Sequence, residues 1–169
     1  MNCMKKFISI FLIISFIFIS SCSEPPPEID PSNPAHAYYL IFEALINESV
    51  GLNNDSIYIA LELTDVELPD TAPLIQLVQN YCDTNEYTLL LMGFEELKEK
   101  GYIDYSDTDI IHFKEGIMIS FYDKESTDTK LVTSGHKWKS GLGAVGMEFT
   151  VEKINDSWQI TEEGNSWRA

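Results

Sequence analysis

Basic residues are missing from a long part of this 169-residue chain. No Lys or Arg occurs between Cys22 and Leu97, a stretch that holds 14 Asp and Glu residues, and the formal net charge of the whole chain is −16. Nucleic-acid backbones are bound mainly through Lys and Arg, so this charge argues against a nucleic-acid partner. The acidic surface fits either a solubilising role or a cationic partner, and the sequence leaves both open.

Cysteine is equally scarce, with Cys3, Cys22 and Cys82 as the whole supply. If the N-terminus is removed and Cys22 is modified, as argued below, Cys82 has no partner, and we predict no intramolecular disulfide. Cys82 falls on an apolar helical stripe with no Cys or His near it in the sequence. This position favours a buried thiol over a nucleophile or a metal ligand.

The usual motifs of catalysis and metal binding are also missing. The three His residues are scattered with no H-x-x-x-H pair, and there is no G-x-S-x-G sequence. Asp104, Asp107 and Asp109 cluster, but they lack the glycine and terminal glutamate of a calcium-binding EF-hand loop, which favours a solvated loop. We therefore expect no metal, no cofactor and a non-enzymatic role, with an enzyme assembled from scattered residues as the third alternative.

The most apolar segment lies at the N-terminus. Lys5 and Lys6 precede residues 7–19, where only two serines interrupt the apolar side chains. This length is typical of a secretory signal and falls short of the roughly 20 apolar residues of a spanning helix. Residues 19–22 read Ile-Ser-Ser-Cys, which resembles the bacterial lipobox, where cleavage precedes a lipidated Cys. We predict a signal peptide over residues 1–21 and lipidation at Cys22.

Lipidation would fix both the location and the domain organisation. Two acyl chains on one residue anchor a protein stably, so we predict a cell-envelope protein held on a membrane outside the cytoplasm. Ser23 follows the predicted lipidated Cys, at the position where Asp would signal retention in the inner membrane. It therefore favours the outer membrane if the cell has one. Residues 22–33 are rich in proline and acid, which predicts an extended spacer. Residues 34–169 then form a single domain.

The apolar pattern of this domain changes from a period of 3.6 to a period of 2 along the chain. Helices are predicted over 34–48, from 70 or 71 to 83, and over 94–101, with strands at 57–63 and 88–92 that suggest a parallel crossover. Strands at 110–113, 116–123, 130–139, 144–154 and 158–162 predict an antiparallel meander. The fold class is therefore α+β, with three helices packed on a mixed sheet and cystatin-like or nuclear-transport-factor-like folds as analogues.

Residues 141–146 match the pattern G-x-G-x-x-G letter for letter. A dinucleotide site needs these glycines to open a helix whose N-terminus holds the pyrophosphate, whereas here they lead into an alternating strand. We predict a bulged or tightly bent strand connection in this segment instead of a cofactor site.

The candidate binding residues precede and enter this glycine-rich segment. A close basic pair stands beside an aromatic residue in His136-Lys137-Trp138-Lys139, and strand alternation puts His136 and Trp138 on one face. The glycines would let a ligand approach the backbone closely. The alternative interpretation places Trp138 in the core and both lysines in solvent. The predicted binding surface consists of His136, Lys137, Trp138, Lys139, Gly141 and Gly143.

Three segments resemble a family of bacterial secreted proteins and lipoproteins with no established activity. They are FEELKEKG from Phe94, KEGIMIS from Lys114 and HKWKSGLGAVGMEFTVEKINDSWQI from His136. The likeness covers about residues 57–167 and departs after Trp167, where the family would continue with an aliphatic residue and Ser. The resemblance implies an envelope location and carries over no functional residue.

Two binding functions follow from these expectations. The first is a tethered domain that binds a protein or peptide partner in the envelope. The second is a carrier that encloses a small ligand in an apolar pocket. A pocket above about 300 Å³ would favour the carrier, while a flat, exposed Trp138 would favour the partner-binding domain.

Overall fold

A computed structural model describes residues 28–105 and 110–169. The predicted signal peptide, the predicted lipidation site Cys22, the first half of the predicted spacer, Asp107 and Asp109 lie outside the described residues. The elements in chain order are α1 (Ala35–Asn47), a short 3-10 helix (Val50–Asn53), β1 (Tyr58–Glu62), α2 (Ala72–Thr84), β2 (Thr88–Leu90), α3 (Phe94–Glu99), β3 (Ile103–Tyr105), β4 (Ile111–Phe113), β5 (Gly116–Ser126), β6 (Lys130–Ser140), β7 (Gly143–Ile154) and β8 (Ser157–Arg168).

The three α-helices lie where the apolar stripes and the capping residues predict them. At the start of α1, Asn33 Oδ1 accepts a hydrogen bond from the amide of Ala35 at 2.9 Å, and Asp70 Oδ1 does the same for Ala72 at the start of α2. The helix α3 stops at Gly101, whose φ of +79° is a backbone conformation that side chains disfavour.

The strands form one mixed sheet, which confirms the predicted α+β class. The strand β1 lies between β2 and β5 and pairs in parallel with both, as the predicted crossover requires. From β5 to β8 each strand pairs antiparallel with the next, which is the predicted meander. The hairpin of β3 and β4 joins the end of β6, where His112 pairs with Ser140. The cystatin-like and nuclear-transport-factor-like analogues stay predictions.

Each face of the sheet has its own core. The helices α1 and α2 cover one face, where Phe42, Phe121 and Phe149 are buried. The smaller helix α3 and the β3–β4 hairpin cover part of the other face, around Leu97 and Phe113. The remaining part of this second face stays open, and it carries the candidate site.

Two features of the sheet were not predicted. The first is the short strand β3, which pairs with β4. The second is the length of β8, which runs to Arg168, whereas the prediction ended this strand at residue 162. Apart from Trp167, residues 163–168 carry no large apolar side chain, and they lack an alternating pattern. Their conformation depends on backbone pairing with β7, in which Gly146 lies opposite Trp167. Such pairing leaves no local signal in the sequence.

Residues 28–33, the second half of the predicted spacer, contact the domain. The indole Nε1 of Trp158 donates a hydrogen bond to the carbonyl of Ser32 at 3.1 Å, and His36 Nε2 lies 3.2 Å from the carbonyl of Ile29. The thiol of Cys82 is buried as predicted, and burial raises its pKa to about 11. Within the described ranges, no helix has both the length and the apolar character needed to cross a membrane.

Candidate functional site

The strand β6 presents the predicted residues on opposite faces of the sheet, as the alternation requires. His136 and Trp138 are half-buried on the open face, and Trp138 packs at the edge of the core beneath α3. Lys137 points to the other face, toward the end of α1. The residues of the predicted binding surface are therefore divided between the two faces of the sheet.

Lys137 is fully buried, with none of its side chain exposed. Its ammonium donates hydrogen bonds to the carbonyls of Ile46, at 3.2 Å, and Glu48, and to Asn53 Oδ1 at 3.0 Å. The last carbonyls of a helix lack partners within the helix and are stabilised by a cation. Burial lowers the pKa of Lys137 to about 8, while the Glu48 carboxylate opposes the shift. This position corrects the expectation of a solvent-facing ammonium at Lys137.

Lys139 is engaged in the same region of the domain. Its Nζ donates hydrogen bonds to the carbonyl of Asn54 and to Ser56 Oγ, the latter at 3.2 Å. Partial burial lowers the pKa of Lys139, and the nearby Asp55 carboxylate opposes the shift. Both cations of the predicted surface thus hold the segment that connects α1 to β1.

Gly141 and Gly143 lie at the turn between β6 and β7. The β6–β7 register shifts between Trp138 and Ser140, and β7 begins at Gly143, which confirms the predicted bent connection. Gly143 is buried, and a Cβ atom at this position would lie 2.9 Å from Ser140 Oγ. Leu142 between the two glycines is 71 % exposed.

The open face around His136 and Trp138 forms a groove of about 360 Å³. A row of directly paired residues crosses five strands of the sheet along this groove. Because paired residues on neighbouring strands point to the same side, the side chains of this row share one face. The row consists of Glu62, Ser120, His136, Gly146 and Trp167.

Aromatic rings form the walls of the groove. The rings of Phe94 and Trp138 meet edge to face with 5.4 Å between centroids. The His136 ring lies 4.9 Å from that of Tyr122 and 5.6 Å from that of Trp167. Edge-to-face contacts of this kind stabilise aromatic clusters by about 0.5–1.5 kcal/mol per pair beyond their burial. The groove therefore offers several ring surfaces to an apolar or aromatic group.

Gly146 makes room for one of these walls. A Cβ atom at Gly146 would lie 2.3 Å from the indole nitrogen of Trp167, so only glycine lets the indole rest against β7 in this position. The last glycine of the G-x-G-x-x-G pattern thus accommodates an aromatic side chain of the chain itself.

The charges along the groove have one sign. Burial lowers the pKa of His136, which keeps its imidazole uncharged at neutral pH. Burial also raises the pKa of Glu62, and the neighbouring Asp65 carboxylate adds to this shift. Among the described residues that line the groove, Lys137 is the only Lys or Arg, and its ammonium is bonded on the opposite face.

Most residues of the groove escaped the sequence-based prediction, among them Glu62, Tyr122 and Trp167. Each of these three lies on a different strand, and only the register across β1, β5, β7 and β8 brings them beside His136. Ser120 and Tyr122 are two residues apart on β5 and so share a face, but this spacing cannot show which strands lie next to it.

The remaining candidates stay apart from the groove. Asp104 forms an ion pair with Lys114 at 2.7 Å. In the described part of the chain, no group of three or more His, Cys, Asp and Glu residues is arranged to hold a metal ion. His112 Nδ1 lies 3.4 Å from the carbonyl of Ile110, on the short strand β4.

Comparison with protein-family models gives no match for this chain. Searches against curated proteins and against solved structures also give no significant match.

Proposed function

We propose that this chain is a membrane-tethered envelope lipoprotein whose domain holds a small ligand with an apolar or aromatic body. The groove is the observation that carries the proposal. Its volume of about 360 Å³ lies within the range of about 300–1,000 Å³ that is usual for small-molecule sites. Such sites are lined mainly by apolar and aromatic side chains with a few polar groups, and Glu62 and Ser120 would supply the polar groups here.

The tether rests on the N-terminal sequence. An apolar run of signal length leads into Ile-Ser-Ser-Cys, and acyl chains on Cys22 would keep the domain at a membrane surface. The resemblance to secreted proteins and lipoproteins in the segments from Phe94 and His136 supports the same location. A carrier held at the surface would exchange its ligand with neighbouring components of the envelope.

Fluorine NMR on the full chain in phosphatidylcholine nanodiscs tests the proposed groove. The chain has three tryptophans, and all of them can be labelled as 5-fluorotryptophan. The uncharged probe 2-phenylethanol should shift the resonances of Trp138 and Trp167 in a saturable way. The resonance of Trp158 should not move, because this indole is bonded to Ser32 on the opposite face.

Single Trp→Phe variants assign the three resonances, and empty nanodiscs correct for partition of the probe into lipid. Trp138→Ala should weaken the binding of the probe about tenfold, since one wall of the groove is removed. Ile154→Ala, at the far end of β7, is exposed and should leave the affinity unchanged. Equal shifts at all three tryptophans, or no saturable shift at any of them, would contradict the proposal.

A protein or peptide partner is the second candidate, and the exposed turn between β6 and β7 favours it. Leu142 at this turn is 71 % exposed, so apolar surface is offered outside the groove as well. A photoreactive residue at Leu142 in the lipid-anchored chain should then capture one dominant envelope protein in cells. The capture should disappear in a Cys22→Ala chain. Without a dominant product in either chain, this candidate would be abandoned.

A further inference from the structure

We propose that the ligand of the groove is a small organic cation, in which a protonated amine is attached to an aromatic or apolar body. This inference rests on the proposed function and names its ligand class. Two features of the described residues carry it: several aromatic ring faces that meet in one groove, and a carboxylate on the same face that has no basic partner.

The first feature is the set of rings. Trp138 is half-buried and Tyr122 is exposed. The His136 ring contacts the rings of Tyr122 and Trp167. The faces of Trp and Tyr rings carry a negative quadrupole that attracts cations, most strongly where water is partly excluded. The same rings also bury the apolar body of the ligand. An amine on an aromatic body therefore satisfies both parts of the groove.

The second feature is Glu62. In the described part of the chain, the five ion pairs use the carboxylates of Glu96, Asp104, Glu148, Glu125 and Glu48, and Glu62 takes part in none of them. The carboxylate of Glu62 packs closely against Gly93, where a Cβ atom would lie 2.3 Å from its Oε1. Glu62 lines the groove and is half-buried, and burial disfavours its charge. A bound cation would remove this penalty.

The spacing along the sheet fits an amine of moderate length. Glu62, Ser120 and His136 are consecutive members of the paired row, so the backbones of β1 and β6 are about 10 Å apart, or two strand spacings. If the ring of the ligand lies against His136 and Trp138, an ammonium joined to that ring by two methylenes can lie above the small side chain of Ser120. At this position the ammonium lies within reach of the Glu62 carboxylate.

No cation of the described residues competes for the Glu62 carboxylate in the groove. The ammonium of Lys137 is occupied at the end of α1, and Arg168 next to Trp167 pairs with Glu48. Among the described residues that line the groove, no ammonium or guanidinium group points into it. An anionic ligand would meet the Glu62 carboxylate without any compensating charge.

A matched set of three probes tests the charge preference. They are 2-phenylethylammonium, 2-phenylethanol and phenylacetate, which share a phenyl body and differ in charge. In the full chain in phosphatidylcholine nanodiscs, titration calorimetry should show the ammonium binding about tenfold tighter than the alcohol, with the carboxylate weakest. Glu62→Gln should reduce the difference between ammonium and alcohol to about twofold. Glu96→Gln, which removes a carboxylate already paired with Lys100, should keep the full difference.

The possible outcomes separate this inference from the proposed function. If the alcohol binds as tightly as the ammonium, or if Glu62→Gln keeps the preference, the cationic ligand class is overturned while the groove remains a binding site. If none of the three probes binds, both proposals fail. An unchanged melting temperature of Glu62→Gln, together with an unchanged Trp158 fluorine resonance, establishes that the variant is folded.

Discussion

Replacing Lys137 with methionine should lower the free energy of unfolding by about 3 kcal/mol. Methionine fills a similar volume, so the loss is that of the ammonium and its hydrogen bonds. The carbonyls of Ile46 and Glu48 and Asn53 Oδ1 would lose their donor in a buried place. Each buried acceptor that loses its donor costs about 1–3 kcal/mol of stability. The variant no longer has to bury a charge, and this gain offsets part of the total cost. Chemical denaturation monitored by circular dichroism measures the change.

Lys139→Met is the matched control, because Lys139 is partly exposed and its acceptors can turn to water. This variant should lower the free energy of unfolding by less than about 1 kcal/mol.

Stability at alkaline pH gives a second test of Lys137. Its folded pKa of about 8 lies below the value of 10.5 expected in an unfolded chain, so the folded state releases this proton first. The difference between the wild type and Lys137→Met should therefore widen by about 1 kcal/mol from pH 7 to pH 9. Equal stability of the two chains would show that the buried ammonium does not hold the end of α1.

Replacing Cys22 with alanine should abolish lipid attachment. An alkyne analogue of palmitate, fed to the producing cells, should label the wild-type chain and leave the Cys22→Ala chain without label. Cleavage before Cys22 depends on the lipidated residue, so the variant should also keep the 21 preceding residues. From 19.2 kDa for 169 residues, it should be about 2 kDa heavier than the mature wild type.

Cys82→Ala serves as the control for this experiment. Cys82 lies on α2 with its thiol buried in the core, and burial raises its pKa, so it should take no label of its own. The Cys82→Ala chain should be labelled as strongly as the wild type. Label on the Cys22→Ala chain, or equal masses of the Cys22→Ala chain and the wild-type chain, would refute the predicted lipidation site.

Much of the fold could be predicted because the signals are local. In α1, Tyr38, Ile41, Phe42 and Leu45 recur on one side of a helix, and all four are buried. The alternation from Val145 to Val151 predicts a strand in the same way. Such periods depend only on which side of an element faces the core, so they can be read along a single segment.

The candidate site could be predicted only in part. Alternation placed His136 and Trp138 on one face, but the same reasoning could not show what Lys137 meets on the other. The sequence contains no sign that the end of α1, some 90 residues earlier, supplies carbonyls to this ammonium. A basic pair beside a tryptophan resembles a surface motif until the packing of the helix is known.

The sequence by itself determined the α+β class, the positions of the three helices, the acidic character and the expectation of a lipid anchor at Cys22. The tertiary structure decided the groove, since Glu62, Tyr122, His136 and Trp167 meet only through the register of β1, β5, β6, β7 and β8. Helical and strand periods are set by neighbours in the chain. Register between strands is set by the packing of distant segments, which no single segment encodes.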